Sequence, residues 1–173
     1  MILFSESQKF RQLWIWIALL AAEGIMLWGV AQQIVFHHPF GSKPAPDGML
    51  IAASLIPAAI IILFASIRLD TSVSGSDISY RFFPFHLKPR SIAWDTIANA
   101  YVRRYSPLSE YGGWGIRYGL GGKGKAFNIS GNRGLQLVMK NGKKILIGTG
   151  RAEELDAVIS QLASKGIVMS KAE

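Results

Sequence analysis

Cysteine is absent from the 173 residues. That excludes disulfides, thiolate metal sites, iron–sulfur clusters and cysteine nucleophiles together. Charge is also scarce, with Asp, Glu, Lys and Arg making up 17% of the chain against about 25% in ordinary soluble domains. Histidine occurs three times, as the adjacent His37 and His38 and a distant His86. Acidic residues number 11 against 19 Lys and Arg, which leaves a formal net charge of +8. What the chain has in excess is apolar surface, at 50% hydrophobic residues. A low charge fraction with this hydrophobic content points to a membrane before any motif is read.

The charge is unevenly placed. Residues 1–12 carry Glu6, Lys9 and Arg11, and residues 13–67 carry only Glu23, Lys43 and Asp47. Residues 68–173 hold 16 Lys or Arg against 8 Asp or Glu, a net of +8. The sequence therefore divides into an N-terminal segment (1–12), an apolar hairpin (13–67) and a basic domain (68–173).

Residues 13–36, LWIWIALLAAEGIMLWGVAQQIVF, would rise about 36 Å as a helix, enough for a hydrocarbon core of about 30 Å. Residues 49–67, MLIAASLIPAAIIILFASI, contain no charge. Pro57 is compatible with a span because a neighbouring helix can satisfy the carbonyl it frees. The short Pro- and Gly-rich turn between them, HHPFGSKPAPDG, makes the spans antiparallel. A cleaved signal peptide fits neither the length of the first run nor the second run that follows it.

Lys and Arg flanks set orientation. Lys9 and Arg11 precede the first span, and Arg68, Arg81, Lys88 and Arg90 follow the second, whereas the turn offers only Lys43. The expectation is a multi-pass protein of the cytoplasmic (inner) membrane with both termini in the cytoplasm. Trp14, Trp16 and Trp28 suit an interfacial belt. His37 and His38 are adjacent, and without a third ligand they read as interfacial residues, not a metal site. Glu23 lies about 15 Å into the first span. An ionisable group there costs about 2.5 kcal/mol or more on insertion scales, so it is a candidate intramembrane contact. No second acid or base accompanies it in either span, which favours packing against a helix or another copy over a proton relay.

Beyond Arg68 the pattern changes to short alternations between turn residues. Segments 69–73, 78–83, 97–105, 116–118, 126–129, 135–139 and 144–147 read as strands. Asn141-Gly142 is a hairpin signal, and the glycines at 119–124 mark a second hairpin. In 151–165, Leu155, Val158, Ile159 and Leu162 fall on one helical face. Thr149 or Gly150 can cap its start and Gly166 can end it. Seven antiparallel strands in a bent sheet or partial barrel, closed by a C-terminal helix, give an α+β domain of pleckstrin-homology-like plan.

Residues 106–155, preceded by Ile92-Ala93-Trp94 and Val102-Arg103-Arg104-Tyr105, carry a resemblance. The run Glu110-Tyr111-Gly112-Gly113-Trp114-Gly115-Ile116-Arg117 is its most specific part, supported by 128–134 and Ile147-Gly148-Thr149. Together they resemble small bacterial membrane proteins with a pleckstrin-homology-like domain after two spans. The resemblance implies that fold and, by analogy with pleckstrin-homology folds generally, a binding module. It implies no catalytic residues.

Two motifs mislead. Gly119, Gly121 and Gly124 spell G-x-G-x-x-G, and 119–125 spells G-x-x-x-x-G-K. Both bind phosphates only where a strand turns into a helix. Here Phe127-Asn128-Ile129 follows as strand, and Ala126 stands where a P-loop needs Ser or Thr. Asp77, Asp95, Glu110 and His86 are isolated from one another in sequence, and no nucleophile–base or paired-carboxylate set assembles. No enzyme, cofactor or metal is expected.

The basic surplus is the remaining lead. Arg103, Arg104, Tyr111, Trp114, Arg117, Lys123 and Lys125 form the candidate lipid- or partner-binding set, with Arg133 nearby. The positive-inside bias alone would make a juxtamembrane domain basic. Contact with anionic lipid headgroups is the second explanation, and nucleic acid is disfavoured by tethering at a bilayer. The expected function is a membrane-tethered binding or scaffolding module that contacts anionic lipid or a protein partner, itself or another. The alternative is an accessory subunit of a larger membrane complex for transport or the envelope, with an enzyme as a third class.

Overall fold

Two apolar runs without a polar face form two long helices, and the alternating remainder forms two sheets. The computed structural model describes residues 1–119 and 121–170. It separates into two units, Phe10–Ser66 and a β unit built from Met1–Lys9 together with the chain from Ile67 onward.

In the first unit, α1 (Leu13–Val30) continues into a π-helical turn (Ala31–Val35), and α2 (Asp47–Ser66) contains Pro57. Both helices are long and apolar enough to cross a membrane. Their ends are stitched together. The Phe10 and Phe64 rings lie 5.3 Å apart at one end, and Gln33 Nε2 donates to Asp47 Oδ1 and to the Ala45 carbonyl, both at 2.7 Å, at the other. The connection folds back on α1, where the Phe40 ring comes within 2.8 Å of the position a Cβ on Gly29 would take. Only glycine leaves that ring its place.

The β unit opens with β1 (Ile2–Lys9), before the helices, and resumes after them with β2 (Arg68–Ser74), β3 (Asp77–Phe83) and the short β4 (Arg90–Ala93). These make an antiparallel sheet in the order β1-β2-β3-β4. A 3₁₀ turn (Trp94–Thr96) leads to β5 (Ile97–Arg104), α3 (Pro107–Tyr111), β6 (Gly115–Gly119), β7 (Gly124–Asn128), β8 (Arg133–Met139), β9 (Lys144–Gly148) and α4 (Ala152–Ser164). The second sheet runs β5-β8-β9-β7-β6, with β7 and β9 parallel.

Three expectations are corrected. Residues 2–9 do not stand apart as an N-terminal segment; they pair with β2 from Ile2↔Ser74 to Lys9↔Arg68. The described residues contain nine strands in two sheets instead of seven in one bent sheet. The strands are not all antiparallel, because β9 returns beside β8 through the Asn141-Gly142 turn and so meets β7 from the other side.

The alternation of β2 and β3 buries Leu69, Val73, Ile78, Tyr80 and Phe82 on one face. On the other face Arg81 donates to Asp70 (2.7 Å) and Ser72 meets Ser79 (2.9 Å). The buried face meets the second sheet, where the Tyr80 and Phe127 rings approach to 4.7 Å. Helix α4 closes this core with Leu155, Ile159 and Leu162, each worth about 1.5–3 kcal/mol when fully buried. Thr149 Oγ1 accepts from the Arg151 N–H at the helix start. At its end Gly166, at φ +70, completes a Schellman turn with Gly166 N–H to Ala163 O and Ile167 N–H to Leu162 O.

Strand β1 clamps the unit shut. Glu6 accepts from Thr149 Oγ1 (2.6 Å) and the Gly150 N–H (2.9 Å), and Gln8 Nε2 donates to the Gly148 carbonyl (2.7 Å). Arg151 donates to the Ser5 carbonyl (2.9 Å) and stacks over the Phe4 ring.

Candidate functional site

Successive residues of a strand point to opposite faces, and this divides the basic residues singled out from sequence. On the outer face of the second sheet, Arg103 donates to Gln136 Oε1 (3.0 Å), to both oxygens of Glu110 (2.9 and 3.3 Å) and to the Tyr111 hydroxyl (3.2 Å). Lys123 Nζ lies 3.4 Å from the same carboxylate. Partial burial pushes the Glu110 carboxyl up. The Arg103 hydrogen bonds, the Ser106 N–H and the two cationic charges outweigh that, and its pKa falls to about 2. Tyr111 packs with Tyr105, Ala126 and Leu146 beneath this network. Arg103, Tyr111 and Lys123 are thus brought together, and the carboxylate among them absorbs charge they would otherwise offer a ligand.

Trp114 and Arg117 form another local set, the indole donating to the Gly131 carbonyl (3.1 Å) and Arg117 Nε to the Trp114 carbonyl (2.9 Å). Arg104 is exposed at the end of β5. Glu23 lies in α1, in the other unit.

Lys125 lies elsewhere. It is paired with Tyr118 across β6 and β7, and its Nζ sits 5.0 Å from the Tyr118 ring centroid and 5.1 Å from that of Phe127. There it lines a cleft of about 790 Å³ between the edge strand β4, the β6–β7 turn and the β8–β9 turn. Arg90, Lys125, Lys143 and Lys144 line it, and no Asp or Glu is among the described lining residues. Tyr118, Ile92, Met139 and Ile145 give it apolar walls, while Ser91 and Asn141 add polar groups.

Glycine shapes this cleft. Gly124 has φ +82, and a Cβ there would overlap the Lys144 carbonyl. A side chain at that position would push β7 from β9 and displace Lys144, which lines the cleft.

The cationic potential registers on neighbouring groups. Burial first, then the charges of Arg90 and Lys125, pushes the His86 imidazole below its ordinary pKa. Its Nδ1 accepts from the Phe82 N–H (3.4 Å), and its ring packs 5.4 Å from Phe127. His86 is a core residue. Burial raises the Tyr80 phenol against the opposing pull of Arg90, its hydrogen-bond partner.

Four cations lining one cleft, with no carboxylate among its described lining residues, suit an anion, and the apolar walls suit a body attached to it. Sequence reasoning found Lys125 and missed Arg90, Lys143 and Lys144. Arg90 opens β4 whereas Lys143 and Lys144 come together from the β8–β9 hairpin, and only the Asn-Gly-Lys-Lys run hinted that a hairpin tip would present two adjacent cations. No protein-family model and no curated protein matches the chain.

Proposed function

We propose that this is an integral membrane protein of the cytoplasmic membrane whose β unit is a pleckstrin-homology-like binding module for a phosphate-bearing, anionic headgroup. The observation that carries the reading is the cleft with Arg90, Lys125, Lys143 and Lys144 and no described acidic lining residue. Tethering supports it, because two helices long and apolar enough to span a bilayer keep the module close to headgroups. The positive flanks support a cytoplasmic side, where anionic lipids attract basic groups at about 1 kcal/mol each.

The test is calorimetric titration of the detergent-solubilised full chain with a short-chain anionic phospholipid, phosphatidylcholine of equal chain length being the control. Saturable binding of the anionic lipid is expected. It should weaken at least tenfold in Lys143→Glu/Lys144→Glu and stay within twofold of wild type in Arg117→Gln, a change outside the cleft; about 1.4 kcal/mol corresponds to the tenfold. Equal binding of both lipids, or equal loss in both variants, overturns the cleft as the site.

A second reading has one observation in its favour. Glu23 is the one charged residue of α1 and is only partly buried, which leaves room for a donor supplied by a second copy or a partner helix. Glu23→Gln should then leave abundance unchanged and alter the oligomeric state seen by native mass spectrometry.

A further inference from the structure

The loop between β3 and β4 presents apolar side chains to solvent from a fixed base. His86 is buried at its centre against Tyr80 and Phe127, and its N–H donates to the Phe82 carbonyl (2.8 Å). On either side of it, Phe85 is 61% exposed and Leu87 75%. Lys88, Pro89 and Arg90 follow, all exposed. Two apolar tips ahead of two cations is the composition that suits a membrane interface, apolar groups below and cations at headgroup level.

Register places the loop. Lys9 pairs with Arg68, and Arg68 pairs with Phe83, so these three residues form a row across one end of the first sheet. The loop leaves from that end. The same end is covalently tied to both apolar helices: only Phe10, Arg11 and Gln12 separate Lys9 from α1, and only Ile67 separates α2 from Arg68. At about 3.3–3.6 Å per residue, these links reach little more than 10 Å. Ile2, exposed as well, pairs with Ser74 at the opposite end of the sheet.

We propose that the 84–89 loop inserts Phe85 and Leu87 into the interface of the bilayer that the two helices cross, as a second, side-chain attachment beside the covalent one. It rests on the reading of α1 and α2 as spans. The attachment holds Arg90, which begins β4 and lines the basic cleft, at headgroup level. The loop thereby fixes which way the cleft faces.

Because the chain has no cysteine, single labelling sites are clean. Leu87→Cys, Phe85→Cys, Leu108→Cys, Ile2→Cys and Leu55→Cys are made in the full chain, labelled with an environment-sensitive fluorophore and reconstituted in phosphatidylcholine nanodiscs. The nanodiscs carry nitroxide on the lipid chains. Lipid-borne quenching at the Leu87→Cys and Phe85→Cys labels is expected to be several times that at Leu108→Cys and Ile2→Cys, with a blue-shifted emission. Leu55 lies in α2 with its side chain exposed, so its label reports the span itself. Quenching at Leu55→Cys without quenching at Leu87→Cys overturns the loop proposal and leaves the spans standing. Absence of quenching at Leu55→Cys overturns the span reading, and the proposal with it. A Leu87→Cys label shielded from lipid nitroxide and from aqueous iodide alike also overturns it, pointing to a protein partner on the loop. Neutral lipid suffices for insertion, so the result is independent of whether the cleft binds an anion.

Discussion

Single residues divide the basic surplus into structural and available charge. Arg103 is engaged by Glu110, Tyr111 and Gln136, whereas Lys143 and Lys144 stand over the cleft. Removing one partner of a half-buried ion pair costs more than the pair gains, because the remaining charge keeps its desolvation penalty. Glu110→Gln should therefore destabilise the fold by about 1–3 kcal/mol at neutral pH. The sign with pH follows from linkage. The Glu110 carboxyl is lowered from 4.5 to about 2 in the fold, so its contribution is complete above the unfolded value and is lost as pH falls toward about 2. Denaturant melts of wild type and Glu110→Gln should converge as pH drops through this window. A gap that stays constant with pH would assign the loss to packing. Sequence showed that Arg103, Tyr111 and Lys123 were chemically apt, but it could not show that one isolated glutamate would draw them together. Gly124 argues the same way: its place in a phosphate-like motif was visible, whereas its need to pass the Lys144 carbonyl at φ +82 exists only in the folded sheet. Gly124→Ala should cost about 1–3 kcal/mol through strain and weaken anion binding in the calorimetric titration.

Among the strands, β1 and the short β4 are the two the sequence concealed, and β1 is the more consequential. Ile-Leu-Phe-Ser-Glu-Ser-Gln-Lys has no sustained alternation, and its partner β2 lies more than fifty residues away across two apolar runs. Strands whose pairing spans such a separation are set by tertiary contacts that local pattern does not carry. The strands from β5 onward were legible because their turns announce them, as was α4 through its spaced Leu and Ile. The parallel β7–β9 pair was not, since it depends on the route of the chain and not on composition. β1 supplies the partner of β2 and, through Glu6 and Gln8, ties that sheet to the start of α4. A chain beginning at Arg68 should accordingly fail to fold, exposing the edge of β2. A chain in which 10–67 is replaced by a two-residue Asn-Gly turn should fold as an independent domain, because Lys9 and Arg68 already face each other as hairpin neighbours. Dispersed amide resonances from the second chain and collapsed ones from the first are expected; equally dispersed spectra from both would show β1 to be dispensable.

For the whole molecule, the pairing of β1 with β2 constrains topology more firmly than charge does. The strands before and after the helical hairpin share one sheet, so both hairpin ends lie on one side of any membrane the helices cross. The number of crossings between them is even, as two spans require. In the proposed orientation charge selects the side: Lys9, Arg11 and Arg68 flank the helices, with Lys88 and Arg90 following, against Lys43 alone in the connection. A cytoplasm-active reporter fused after Glu173 should be active, and one inserted at Gly41 should be silent. Replacing Lys9, Arg11 and Arg68 with Gln while adding three Lys to 41–45 should invert part of the population, and the two reporters should then exchange activity together. A third reporter ahead of Met1 should switch with the one after Glu173; a change at one without the other would mean that β1 and β2 had been parted, and the sheet cannot survive that. Under the proposed reading, the orientation of the spans and the integrity of the sheet are therefore one equilibrium: flanks that held the hairpin in place would also deliver β1 to the compartment of β2.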